Sequence, residues 1–163
     1  MMAVDAAKAG KDVYCEKPLA LTVAEGRAMV NAARKYNRVF QTGNMQRSWR
    51  NFRHACEMVS NGYIGEVETV NVNVGGPAVA CDLPSEAEPD YLNWDLWIGP
   101  SMYRGYHPVL SPPIEDTSWP MWRRYKEFGG GGVTDWGAHM FDIAQWALGM
   151  DKSGPNGFLN LAG

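Results

Sequence analysis

The sequence predicts an α/β protein that opens on a parallel strand–helix–strand unit and continues into a second, mainly antiparallel sheet. Three observations predict it. Two short segments, Lys11 to Cys15 and Arg38 to Thr42, read as strands on either side of an amphipathic run that starts at a capping box, Thr22 with Glu25. Val70, Val72 and Val74 alternate with polar residues, the pattern of a strand with one wet face. Four consecutive glycines, Gly129 to Gly132, lead into a helical stretch from Val133 to Leu148 that contains no Lys, Arg or Glu.

Taken in order, the first nine residues are helix formers and stop at Gly10, a helix-ending residue. The run from Thr22 to Tyr36 places Val23, Met29, Val30 and Ala33 at helical spacing. Right-handed crossovers make the two flanking strands parallel neighbours, so both end on one sheet edge. Glu16, Lys17 and Pro18 then lie beside Gly43 and Asn44, on the edge where open α/β sheets bind ligands. A third helix is expected from about Ser48 to Ser60, ended by Asn61 and Gly62, and then a strand from Glu66 to Val74. The stretch from Gly75 to Gly130 holds most of the prolines and four of the seven tryptophans, with only Tyr91 to Ile98 looking regular. So long a loop in a compact domain is expected to be a lid or an interface. The tail from Lys152 to Gly163 shows no pattern.

Composition narrows the function classes. The 163 residues are 45% apolar and 20% charged, an ordinary globular mixture. The net charge of −3 is spread in short alternations without a basic stripe, which argues against nucleic acid as a partner. No apolar run approaches the roughly 20 residues that span a bilayer, and the first twelve residues hold no signal core, so no membrane association is expected. Cys15, Cys56 and Cys81 are odd in number and widely separated, which suggests reduced thiols in a cytoplasm.

The helix after the glycine run carries the most chemistry. Its ionisable residues, Asp135, His139 and Asp142, recur at i, i+4 and i+7 and fall on one stripe. A buried carboxylate without a partner costs several kcal/mol, so the stripe is either paired or serves a site. Two readings stand: Asp135 caps the helix and His139 is a satisfied core histidine, or Asp135 fixes the tautomer of a general base at His139. Lys17, at a strand end stiffened by Pro18 with a Lys17–Pro18 bond open to the cis form, is either a solvated lysine or a cation facing a ligand. An ammonium there would favour the alkoxide form of a substrate hydroxyl.

Three strings appear in fixed order: Cys15-Glu16-Lys17-Pro18-Leu19, Gln41-Thr42-Gly43-Asn44 with Arg47 beyond, and Gly130 to His139 with Asp142 following. Together they resemble the Gfo/Idh/MocA family of glucose-fructose oxidoreductase and inositol dehydrogenase, over roughly Met2 to Asp151. Asn93 to Pro100 further resembles a bacterial dehydrogenase-like subgroup. The resemblance implies the remnant of a Rossmann-type parallel sheet at residues 1–45, followed at 46–163 by part of an α/β domain with an open, mainly antiparallel sheet. It implies NAD or NADP as cofactor, a sugar or polyol as substrate, and a homo-oligomer formed through the open sheet. Carried over by residue, it assigns catalysis to Lys17, Asp135 and His139. It places Glu16, Lys17, Pro18 and Asn44 at the cofactor, and Arg47, Asp135 and His139 at the substrate.

The sequence departs from that family in having no Gly-x-Gly-x-x-Gly turn, and the glycine run does not replace it. The expectation is therefore a fragment shortened at the start and at the end. Two rivals accompany the oxidoreductase. A copy without catalysis would act by oligomerising, and a divalent-metal hydrolase or lyase would use Asp135, His139, Asp142 and His107 as ligands.

Overall fold

A computed structural model describes residues 2–159; the last four residues of the patternless tail lie outside them. Helix α1, Met2–Lys8, turns off at Gly10, whose φ of 76° suits a residue without a side chain. Strand β1, Val13–Glu16, follows. Helix α2, Val23–Lys35, starts as expected: Glu25 N donates to Thr22 Oγ1 at 3.2 Å, and Thr22 N donates to Glu25 Oε2 at 3.0 Å. It ends where Asn37 takes a φ of 50° and Arg38 N reaches back to Ala33 O. Its buried face is Met29 and Ala32, while Val23 at the first helical position is 91% exposed.

Strand β2, Phe40–Gly43, pairs parallel with β1, Val13 opposite Phe40 and Glu16 opposite Gly43. The return from α2 is tied down by Val39 N donating to Asp12 Oδ1 at 2.8 Å and by Arg38 Nη1 donating to Gly10 O at 3.0 Å. Both strand ends thus meet on one edge. A 3-10 turn, Met45–Ser48, leads into α3, Arg50–Ser60, which closes at Asn61 and Gly62 and lays buried Cys56 against the carbonyl of Ile143.

The expected strand from Glu66 to Val74 is not formed. Val72 and Val74 are half-buried and Val70 is exposed, so part of the alternation survives in burial. No ladder partner lies beside it among the described residues, where isolated bridges join Pro77 to Gly131 and Val79 to Tyr125. A strand needs a neighbour to satisfy its backbone, and alternation alone cannot supply one.

The segment from Gly75 to Gly130 is not a bare loop. It builds its own core of Cys81, Trp94, Ile98, Tyr106 and Leu110, organised by the short helix α4, Trp94–Ile98, whose cap Asn93 Oδ1 accepts from Leu96 N at 2.8 Å. Trp94 stacks on Trp97 at 4.5 Å, meets Tyr106 edge-on at 5.3 Å, and donates from Nε1 to Arg104 O at 2.7 Å. Glu127 reaches across the segment to accept from Cys81 N at 3.1 Å. A second 3-10 turn, Met121–Arg124, precedes the glycine run.

The expected single helix after that run is two: α5, Gly132–Asp135, and α6, Gly137–Ala147, joined at Trp136. At the joint His139 N donates to Trp136 O instead of to Asp135 O. Among the described residues no helix is long and apolar enough to cross a membrane.

Candidate functional site

The carbonyl released at the α5–α6 joint is where the site begins. Asp135 O accepts a hydrogen bond from Lys17 Nζ at 3.0 Å, and Asp135 Oδ1 accepts a second from the same ammonium at 2.6 Å. Lys17 follows β1 directly, through a cis Lys17–Pro18 bond. The strand end and the helix joint are thus held together by one side chain, with less than a fifth of either partner exposed.

Asp135 serves a second cation. Arg123 Nε lies 3.5 Å from Asp135 Oδ2. The guanidinium is fixed between the Trp119 and Trp122 rings, 4.6 Å from each, and donates from Nη1 to Pro120 O at 2.8 Å. Sequence reasoning passed over Arg123. A local signal was available, an arginine preceded by tryptophans one and four positions back, but its target lies twelve residues on.

His139 sits one turn beyond Asp135 and is 7% exposed. Burial pushes its pKa below the usual imidazole value, and the Lys17 ammonium pushes the same way against the carboxylates of Asp135, Glu16 and Asp142. The ring is therefore neutral at pH 7. Its Nδ1 is buried without a hydrogen-bond partner among the described residues, and no hydrogen bond joins it to Asp135. The expected tautomer-fixing role of Asp135 is corrected accordingly: its carboxylate is engaged by Lys17 and faces Arg123.

Glu16 and Pro18 are exposed at the same strand edge. Glu16 lies over Gly43, where an added Cβ would come within 2.7 Å of the carboxylate and 2.8 Å of the Glu16 Cα. Gly43 is thus a positioning residue that strand patterning did not reveal. Asn44 and Arg47 border a different, polar cleft of about 390 Å³ with Asp142 and Asp151. Arg47 forks onto Asp142 at 2.7 and 2.8 Å and onto Asp151 at 2.7 and 2.9 Å, with Trp146 5.4 Å below its plane. Its donors are occupied by two carboxylates, and Arg47 makes no hydrogen bond to Lys17 or His139 among the described residues.

The stripe of three ionisable residues therefore divides, with Asp142 turned to Arg47. His107 pairs elsewhere, its Nε2 3.2 Å from Glu86 Oε1 and its Nδ1 accepting from Val109 N. The metal-centre rival required these side chains to converge, and among the described residues no group of three or more His, Cys, Asp or Glu does so. Cys15, Cys56 and Cys81 are free thiols.

Residues 1–44 match the oxidoreductase family described by its NAD-binding Rossmann fold, and residues 77–158 match that family's C-terminal alpha/beta domain. The chain belongs to the Gfo/Idh/MocA oxidoreductase family. Among curated Gfo/Idh/MocA-type relatives, a myo-inositol 2-dehydrogenase of Thermotoga maritima is 36% identical over 77 residues, 47% of this chain and 23% of that protein. A 1,5-anhydro-D-fructose reductase of Ensifer adhaerens is 28% identical over 91% of this chain and 34% of its own length. A D-glucoside 3-dehydrogenase of Escherichia coli is 26% identical over 89% of this chain and 31% of its own. The chain spans about a third or less of the relatives it matches. Within the family's Rossmann match lie β1, Lys17 and β2, and within its C-terminal match lie Arg123, Asp135 and His139.

Proposed function

We propose that the chain carries the catalytic groups of an NAD- or NADP-dependent oxidoreductase that moves a hydride between the nicotinamide and a hydroxyl or carbonyl carbon of a sugar or polyol. The Lys17–Asp135 pair, closed at 2.6 Å one helical turn before buried, neutral His139, supports this reading most directly. The names of the sugar- and inositol-directed relatives agree with it.

The residues fit the nicotinamide end of such a cofactor. Glu16, Lys17 and Pro18 sit at the carboxyl end of β1 beside that of β2, the edge where parallel sheets hold ligands, with Asn44 following β2 on the neighbouring cleft. The sequence contains no Gly-x-Gly-x-x-Gly string, so this reading assigns none of its residues to the pyrophosphate. Bound NAD or NADP supplies the ring carbon that accepts or returns hydride. Lys17 donates to the reacting oxygen and favours its alkoxide, and Asp135 positions Lys17. His139 takes the hydroxyl proton in oxidation and returns it in reduction.

On the same reading the chain divides near residue 45 into nucleotide-binding and substrate parts, and three free thiols suit a cytoplasm. On this reading copies associate along the edge formed by residues 66–74, whose backbone has no ladder partner among the described residues. Ile64, Val67, Val70 and Val72 with α6 line an apolar groove of about 430 Å³ there. The non-catalytic, oligomerising alternative would use this same edge.

Saturation-transfer NMR with millimolar NADH tests the assignment. The nicotinamide protons gain signal in the wild-type chain and lose it in Lys17→Met, and with an intact cofactor domain supplied in trans His139→Ala lowers polyol-dependent NAD reduction by about a hundredfold. An absence of transfer to the nicotinamide in the wild type overturns the reading.

A further inference from the structure

A cavity of about 300 Å³ opens beside Asp135, between the turn that carries Trp119 to Arg124 and the main chain of residues 74–77 and 131–132. That volume is at the small end of the roughly 300–1,000 Å³ of small-molecule sites. Its floor is backbone packed too closely for side chains. Gly132 N donates to Gly76 O at 2.9 Å, and a Cβ on Gly131 or Gly132 would collide with Ala78 N or Val74 O.

The rim presents two indoles to water, Trp119 at 67% and Trp136 at 55% exposure. Trp119 has one face on Arg123, which leaves the other open. Exposed indole surfaces beside a mainly apolar cavity that holds two guanidinium groups suit a ring whose C–H face is apolar and whose edge is hydroxylated.

The charge of the lining is unbalanced. Arg123 and Arg124 face it against Asp135 alone, and Lys17 already occupies the other oxygen of that carboxylate. Arg123 is immobilised by its two indoles, Pro120 O and Asp135, yet its Nη2 makes no hydrogen bond among the described residues. A fixed guanidinium edge with a spare donor is a ready partner for a carboxylate.

We propose that this cavity binds the ring of an acidic sugar, with the apolar ring face on Trp119 and Trp136 and the carboxylate on Arg123 and Arg124. The inference rests on the oxidoreductase reading for the reacting groups and adds the charge of the substrate to it. A neutral sugar would leave the cationic surplus of the cavity uncompensated.

Equilibrium binding of D-glucuronate and D-glucose, which share a ring and differ at one carbon, tests it in the absence of cofactor. Tryptophan fluorescence and saturation-transfer NMR are the readouts. The wild-type chain prefers glucuronate by about tenfold or more, the scale of one charge-assisted hydrogen bond. Arg123→Met removes the preference, and Trp119→Ala weakens both sugars. Arg124→Gln changes an exposed residue and reduces the preference by about threefold, so the charge requirement is tested even if Arg123→Met fails to fold. Equal affinity for the two sugars, binding of neither, or a preference untouched by Arg124→Gln overturns the proposal. Polyol oxidation without glucuronate binding sinks this inference alone. Glucuronate binding without transfer to the nicotinamide leaves the cavity assignment standing and removes the redox one.

Discussion

Lys17 and Asp135, 118 positions apart, are joined twice, by Nζ to Oδ1 at 2.6 Å and by Nζ to the main-chain oxygen at 3.0 Å. The second bond exists because the helix breaks at Trp136, where His139 N turns to an i−3 carbonyl and releases the one it would have used. One ammonium therefore satisfies a backbone acceptor and a carboxylate together. The same contact fixes the strand edge of the βαβ unit against the helix that carries His139.

Lys17→Met should accordingly lower stability as well as chemistry. It leaves Asp135 with Arg123 at 3.5 Å as its remaining cation and strips a half-buried carbonyl of its donor. The expected loss is about 2 kcal/mol in urea unfolding, below the ~3–5 kcal/mol of a fully buried pair because both side chains keep some water contact. A variant as stable as the wild type would mean that the double contact is not maintained in solution.

The local part of this arrangement was legible in the sequence and the long-range part was not. The Thr22–Glu25 box and the Gly10 stop follow from signals within a few residues, and the parallel pairing of β1 and β2 from the handedness of one crossover; the structure has each of them. The strand expected at Glu66 to Val74 failed because its alternation describes two faces and names no neighbour. The break at Trp136 was invisible because helical spacing cannot register a donor arriving from Lys17. The resemblance placed Arg47 at the substrate, and helical spacing did not show that Asp142 and Asp151 would bind it; Arg123 was missed altogether. Tryptophan-rich composition showed that Gly75 to Gly130 mattered, but not that Trp94 would be its core.

Asp142 and Asp151 share one guanidinium yet should differ in worth. The Asp142 side chain is 17% exposed and takes two hydrogen bonds from Arg47, whereas Asp151 is 47% exposed. Asp142→Asn is expected to cost about 1–2 kcal/mol. Asp151→Asn is expected to cost no more than about 0.5 kcal/mol, since exposed pairs contribute little. Paired urea titrations compare them directly, and equal losses would contradict the burial difference.

Trp94 anchors the segment from which Arg123 and the glycine run project. It is 1% exposed, and its ring contacts with Trp97 and Tyr106 have no replacement. Trp94→Ala should cost about 3–5 kcal/mol through the cavity it leaves. Near-ultraviolet circular dichroism would report the loss of the stacked indole pair alongside the thermal midpoint. Gly43→Ala should act on the site more narrowly. Its Cβ would press on the Glu16 backbone and carboxylate, costing about 1–3 kcal/mol and shifting Lys17 off Asp135.

His139 makes stability depend on pH in a defined direction. Its folded pKa lies below the ordinary value because burial, and then Lys17, disfavour the cation. Between that folded value and about 6.5, the unfolded chain binds the proton and the folded chain does not. Stability is therefore full above about 6.5 and falls as pH drops from there toward the folded pKa. Urea midpoints measured from pH 7.5 to 5.5, before carboxylates of ordinary pKa titrate, should decline for the wild type and stay nearly level for His139→Gln. Any proton transfer by the imidazole should persist to lower pH than a free histidine would allow, because the neutral base survives there. A midpoint decline of equal slope in His139→Gln would assign the acid sensitivity to another group and remove the physical basis for a neutral base at this position.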